Sequence, residues 1–122
     1  MAESPAHQER VAALVDWMRQ QGAQVTHAAG GSSLPDPYAI GRHEPDAIGI
    51  KDGVFWIGEA KIGTDLTALT SQEQLFDFSQ REMSDTHAPC PFILCVPPGF
   101  GPEAERSVIA SGGSTANLTI IA

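Results

Sequence analysis

The chain has 122 residues, 42% of them hydrophobic, and its 15 acidic side chains against 7 basic ones give a formal net charge of −8. That length fits one domain over residues 1–122 with a modest core, and so acidic a surface argues against unaided binding to duplex nucleic acid, which rests largely on Lys and Arg contacts to phosphates. No apolar run approaches membrane-spanning length and the polar amino terminus lacks the apolar stretch of a signal peptide, so a cytoplasmic protein with no membrane association is expected.

Ser4-Pro5 reads as a helix cap and first helical position. The helix should run over about residues 5–21 and stop at Gly22, with Val11, Leu14, Val15 and Met18 as its apolar stripe. A first strand is expected at 24–27. Residues 28–36, rich in Gly, Ser and Pro, read as a loop that either connects elements or closes over a substrate. A short strand at 38–40 is a candidate. A β-hairpin follows, then a connector at 64–70 and a second helix at about 71–83. Pro91 to Val96 reads as a buried strand ended by Pro97-Pro98-Gly99. A third helix opens at Gly101-Pro102 and reaches about Ala110, and Leu118 to Ile121 forms a last strand. The order α-β-β-β-α-β-α-β predicts an α/β fold, a mixed sheet of about four to five strands flanked by helices. Its later strand-helix-strand portion suits parallel pairing. Cys90 and Cys95, an odd number apart, would face opposite ways in a strand, so a disulfide is not expected.

The hairpin carries the chemistry. Ile48 to Ile50 and Val54 to Ile57 suit strands, and Asp52-Gly53 suits a two-residue type I′ turn. That turn pairs Ile50 with Phe55, Ile48 with Ile57 and Asp46 with Glu59, with Lys61 on the same face. The apolar pairs would enter a core and leave two opposed carboxylates at its rim. Like charges so placed are destabilising unless they share a proton or bind a cation. Oxygen ligands suit Mg²⁺, Mn²⁺ or Ca²⁺, and Lys61 would compensate charge beside them. The plainer alternative is an exposed acidic hairpin end with Lys61 as a salt-bridge partner.

Pro45-Asp46 and Glu59-Ala60-Lys61, joined by a hairpin, resemble the motif of the PD-(D/E)xK nuclease superfamily, which has the restriction-endonuclease-like fold. Gln74-Leu75-Phe76-Asp77-Phe78 is similar to the Gln-x-x-x-Tyr helix motif of several branches, with Phe78 at the last position. Small virus-type replication-repair nucleases and junction resolvases are nearest in size. The resemblance spans about residues 42–78 and implies a Mg²⁺-dependent nuclease, with Mn²⁺ able to substitute, that hydrolyses phosphodiester bonds, most readily in DNA, and leaves a 5′-phosphate. Asp46, Glu59 and the Ala60 carbonyl would hold the metal. Lys61 would position or deprotonate the attacking water, and Gln74 would orient the site.

Other readings stay open beside it. Ser71-Gln72-Glu73-Gln74 is a capping-box pattern that would turn Gln74 back to Ser71, and Thr70 with Glu73 offers a second box. Many family members add an acidic residue from the first helix; Glu9 and Asp16 are the candidates here, but Glu9 projects away from the apolar stripe. His43 either lines the site or lies on the surface. Lys51, Lys61 and Arg42 lie in the motif region and would offset the overall charge locally, and a homodimer or larger complex would supply further basic surface. A non-catalytic acidic module on the same fold, binding a protein partner or serving as an inhibitor or assembly subunit, is the alternative function.

Overall fold

In the computed structural model, which describes residues 4–30 and 33–122, the elements follow the expected order. They are α1 (Pro5–Gln20), β1 (Gln24–Ala28), β2 (Ala47–Lys51), β3 (Val54–Ala60), α2 (Leu69–Ser79), β4 (Phe92–Cys95), α3 (Gly101–Ala110) and β5 (Leu118–Ile121). Among the described residues the strands form one five-stranded sheet in the order β1-β2-β3-β4-β5. β1, β2 and β3 pair antiparallel, while β3-β4 and β4-β5 are parallel, with α2 and α3 as the connections. The fold is α/β with a mixed sheet.

The hairpin fixes this frame. Asp52 and Gly53 have φ angles of 52° and 79°, the left-handed pair that a type I′ turn needs. The register that follows is Lys51 with Val54, Ile50 with Phe55, Ile48 with Ile57 and Ala47 with Gly58. Ile48 and Ile57 are buried as expected. The outer pair is not: Ile50 is half-buried and Phe55 is 41% exposed. Only the inner half of the hairpin therefore enters the core.

α1 is capped by Ser4, whose Oγ accepts from the His7 N–H at 3.2 Å. Its stripe of Val11, Leu14, Val15 and Met18 is buried against Val25, Ala47, Ala60, Ile93 and Cys95. Gly58 makes that contact close: a Cβ there would come within 2.9 to 3.1 Å of Leu14 and Met18. Leu14 and Met18 are fully buried, a burial that stabilises by roughly 1.5–3 kcal/mol per side chain. The opposite face of the sheet packs Ile57, Phe92 and Leu94 against Leu75, Phe78 and Val108 of α2 and α3. Cys95 lies in the first layer and Cys90 in the second. Both are free, and burial pushes both thiols up.

Three expected boundaries differ. The strand at 38–40 is a single bridge, Ile40 to His43. α2 begins at Leu69, with Ala68 at its cap and no side-chain capping bond. Ser71 is therefore already inside the helix, and neither expected capping box forms. α2 also stops at Ser79, because the next residues find other partners: Met83 N–H donates to Ala88 O at 2.8 Å and Glu82 bridges Pro89.

Candidate functional site

β3 and β4 end side by side, with Ala60 paired to Cys95 and Lys61 N–H donating to Cys95 O at 3.0 Å. Strand alternation puts Ala60 on the α1 side of the sheet and Glu59 with Lys61 on the other. Asp46 arrives from β2, but regular pairing ends at Ala47 with Gly58. One residue beyond, Asp46 N–H donates to Gly58 O at 3.0 Å, and its own carbonyl accepts from Ala29 N–H at 2.9 Å. Its carboxylate Oδ2 then accepts from Ala60 N–H at 2.9 Å. The expected cross-strand pair of Asp46 and Glu59 is thus not a ladder pair. The chain leaves the ladder at Asp46, with its carboxylate held by Ala60 N–H and close enough to the Glu59 carboxyl for each to act on the other's protonation.

Lys61 Nζ lies 3.2 Å from Glu59 Oε2 and also donates to Gln74 Oε1 on α2. From the other layer, His7 Nε2 lies 3.0 Å from the Ala60 carbonyl oxygen and 3.3 Å from Asp46 Oδ2. A carbonyl only accepts, so the Ala60 contact is a hydrogen bond when Nε2 carries the proton. Two carboxyls, one ammonium, one carboxamide and one imidazole thus converge where the two layers meet at the end of the sheet.

Their burial sets the electrostatics. Asp46 is 7% exposed and Glu59 is 2% exposed. Burial acts to raise the Asp46 carboxyl, but hydrogen bonds from His7, Glu59 and Ala60 outweigh it and hold it below the usual carboxylate range. Glu59 goes the other way. Burial, and then the Asp46 carboxylate beside it, push its carboxyl well above the usual range against the opposing pull of Lys61. Two neighbouring carboxyls with their affinities for protons driven apart form a site that holds one proton, or one cation, more readily than none.

The five residues expected from the sequence, Asp46, Glu59, Ala60, Lys61 and Gln74, are therefore together. Gln74 does not cap α2; with the helix starting two residues early, its side chain is free to reach Lys61. Phe78 is fully buried. Glu9 and Asp16 are exposed, so α1 contributes no carboxylate at the site, only His7. Nothing in the sequence reading picked His7, although it continues the stripe of Val11, Leu14 and Met18 one turn back at helical spacing. His43 is neither free on the surface nor at the carboxylates: its Nε2 meets Glu73 Oε1 of α2 at 3.0 Å.

Of the three basic residues in the motif region, Lys61 stands at the site and the other two do not. Lys51 sits at the far end of the hairpin, donating to Gln21 O and lying 5.6 Å from the Trp56 ring. Arg42 clamps the loop before Asp46 onto α2. Its Nε and Nη2 donate to the two Asp77 carboxylate oxygens at 3.1 and 2.9 Å, and its N–H to Asp77 Oδ2 at 2.9 Å. The Arg42 side-chain hydrogen bond holds the Asp77 carboxyl below the usual carboxylate range. Gly41, at φ 66°, lets the turn lie against Asp77, where a Cβ would come within 2.9 Å of Oδ2. This clamp fixes α2, and with it Gln74, relative to the strand that delivers Asp46.

Among the described residues no three His, Cys, Asp or Glu side chains stand together as a metal-holding group. A hard cation at this site would need a backbone oxygen as well, and the Ala60 carbonyl lies beside Asp46 within reach of the same imidazole. Two carboxyls and a carbonyl oxygen are the hard oxygen donors that such an ion takes. Comparison with family models, curated proteins and solved structures finds no match to this chain. Among the described residues no helix is long and apolar enough to cross a membrane.

Proposed function

We propose that the chain is a metal-dependent nuclease on a restriction-endonuclease-like core, hydrolysing phosphodiester bonds of nucleic acid, DNA foremost. The observation that carries this reading is the pair of buried carboxyls, Asp46 and Glu59, converging beside the Lys61 ammonium at the end of the hairpin. Burying such a group costs several kcal/mol per ion before pairing offsets it, and fold stability alone gives no reason to bear that cost. Asp46, Glu59 and the Ala60 carbonyl would hold Mg²⁺ or Mn²⁺, which would polarise the phosphate and acidify water.

The chain's own groups supply the rest. Lys61, held between Glu59 and Gln74, presents its ammonium to the anionic phosphate and to the attacking water, and stabilises the charge that grows on the phosphoryl oxygens. Gln74 anchors the Lys61 ammonium to α2, so it would need little rearrangement during reaction. His7 covers the α1 side: its Nε2 already lies against Asp46 and the Ala60 carbonyl, so it would either give way to a bound metal or turn a bare nitrogen towards it.

The test is cleavage of single-stranded, duplex and branched DNA with Mg²⁺ or Mn²⁺. Lys61→Ala and Asp46→Asn are expected to lower the rate by about 10³-fold or more, with the fold retained by circular dichroism. No cleavage by the wild-type chain on any of these substrates counts against the reading.

One observation favours the alternative, a non-catalytic acidic module. Of the cations near the motif, Arg42 is held by Asp77 and Glu73 and Lys51 is remote, so little basic surface is left for a polyanion. Metal binding without cleavage, together with capture of a basic protein, supports that module.

A further inference from the structure

A groove of about 340 Å³ runs along α1 beside the site without sharing any of its residues. Its floor is apolar: Val11, Val15 and Ala28 are buried, and Leu34 forms a half-buried wall. Its rim is polar and exposed, with Gln8, Asp16 and Arg19 in a row along one face of the helix and the small Ala12 between them. At a rise of 1.5 Å per residue, the row from Gln8 to Arg19 is about 16 Å long. Two backbone links join its near end to the site. Gln8 follows His7, whose Nε2 meets Asp46 and Ala60, and Ala29 N–H donates to Asp46 O at 2.9 Å.

The charges say what suits this groove. The chain has 7 Lys and Arg, and Arg42, Lys51 and Lys61 are each engaged by other groups of the fold. Duplex affinity grows with the number of phosphates neutralised, and among the described residues the other cations, Arg10, Arg19, Arg81 and Arg106, are spread over α1, α3 and the segment just after α2 rather than set in one row. A single strand offers bases as well as phosphates. An apolar floor with a few polar groups at its edge is the ordinary make-up of a small-ligand site, and this volume is near the lower end of their range of about 300–1,000 Å³. Extruded bases are likewise bound by apolar walls and by hydrogen bonds to their edges. Asp16 can accept from an exocyclic amino group, Gln8 can donate or accept, and Arg19 can pair with a phosphate.

We propose that this groove binds a nucleobase of a single-stranded substrate whose scissile phosphate enters the Asp46–Glu59 site, with Arg19 on a neighbouring phosphate. The assignment rests on the nuclease reading for the chemistry of the ligand. It makes the enzyme one that acts on single strands, or on the unpaired arms of a duplex.

Fluorescence anisotropy tests it with a short labelled single-stranded oligodeoxynucleotide and the same sequence as a blunt duplex, on the D46N protein without metal. The single strand is expected to bind about tenfold tighter than the duplex. Ala12→Leu fills the groove with an aliphatic side chain and keeps a good helix former; it should weaken single-strand binding about tenfold. Arg19→Ala, at an exposed position, serves if Ala12→Leu disturbs the fold. It should weaken binding and lower the slope of log affinity against log salt by about 0.7. Equal affinity for duplex and single strand, no binding of either, or unchanged binding by both variants overturns the proposal. The metal-site reading fails separately, by Mn²⁺ calorimetry on the wild-type chain without nucleic acid.

Discussion

The two ends of the β2–β3 hairpin are built from similar residues and used in opposite ways. At the turn, Asp52 and Gly53 are exposed, Lys51 donates to Gln21 O and covers Trp56, and Phe55 stands 41% in solvent. At the other end, Asp46 and Glu59 are at most 7% exposed, packed between α1 and α2, with Lys61 against them. Charges at the turn lie in water, where an ion pair is worth little and costs little. Those at the far end lie where each must be answered by a partner, and removing one partner is costly. Residue type alone therefore does not mark the candidate site. What marks it is that carboxylates were kept at the one end of the hairpin that both helical layers cover.

Substitutions at two glycines should separate the two ends of the hairpin most strongly. Gly58→Ala drives a methyl into Leu14 and Met18, whose atoms would lie 2.9 to 3.1 Å away, and pushes α1 off the sheet. A loss of about 1–3 kcal/mol is expected in denaturant unfolding, together with loss of the His7 contacts. Gly53→Ala meets no atom within 4 Å and costs only the left-handed backbone conformation at φ 79°, about 1 kcal/mol. Equal losses at the two glycines would mean that α1 does not lie closely on the site end.

The pH dependence of stability sharpens the contrast. Asp46 has a depressed affinity for protons, so its contribution is present above the ordinary carboxylate range and is lost as pH falls through its lowered value. Glu59 has a raised one, so its contribution is complete below the ordinary range and is lost as pH rises through its raised value. The metal-free protein should therefore lose stability towards alkaline pH as well as in acid. Glu59→Gln, which mimics the neutral carboxyl, should flatten the alkaline limb and gain roughly 1–3 kcal/mol there. Added Mg²⁺ should do the same for the wild type and not for the variant. Denaturant midpoints measured across pH decide this; an alkaline limb unchanged in Glu59→Gln would assign the loss to another group.

The smallest expected effect lies away from the carboxylates. Asp77→Ala releases Arg42 and lets α2 shift against the loop before Asp46. Cleavage should fall severalfold while Mn²⁺ affinity stays within about twofold, since neither carboxylate is touched. A matching fall in both would mean that the clamp supports the metal ligands rather than Gln74.

Much of the fold was legible because its signals are local. The Asp52-Gly53 turn sets its own register, alternation fixes which residues share a face, and Gly22 and Gly112 end helices. The site was legible as far as the hairpin reaches: Asp46, Glu59 and Lys61 follow from counting outward from the turn. What the sequence did not yield depends on distant contacts. The bend that takes Asp46 out of the ladder answers to Ala29 and Ala60. The early start of α2 overrides two capping boxes and frees Gln74. His7 reaches the site only because Gly58 lets α1 come close, although its place on the apolar stripe was a signal available to a longer count. The pairing of Arg42 with Asp77, 35 residues apart, has no local trace at all.

The proposed chemistry requires that Asp46 and Glu59 form a cation site. Calorimetric titration of Mn²⁺ into the wild-type, D46N and E59Q proteins tests it directly, in two buffers of different ionisation enthalpy. One ion is expected to bind per wild-type chain, with release of protons as Glu59 gives up its raised carboxyl proton. Each variant should lose about tenfold or more in affinity. Absence of binding at millimolar Mn²⁺, or equal binding by all three proteins, would contradict the account.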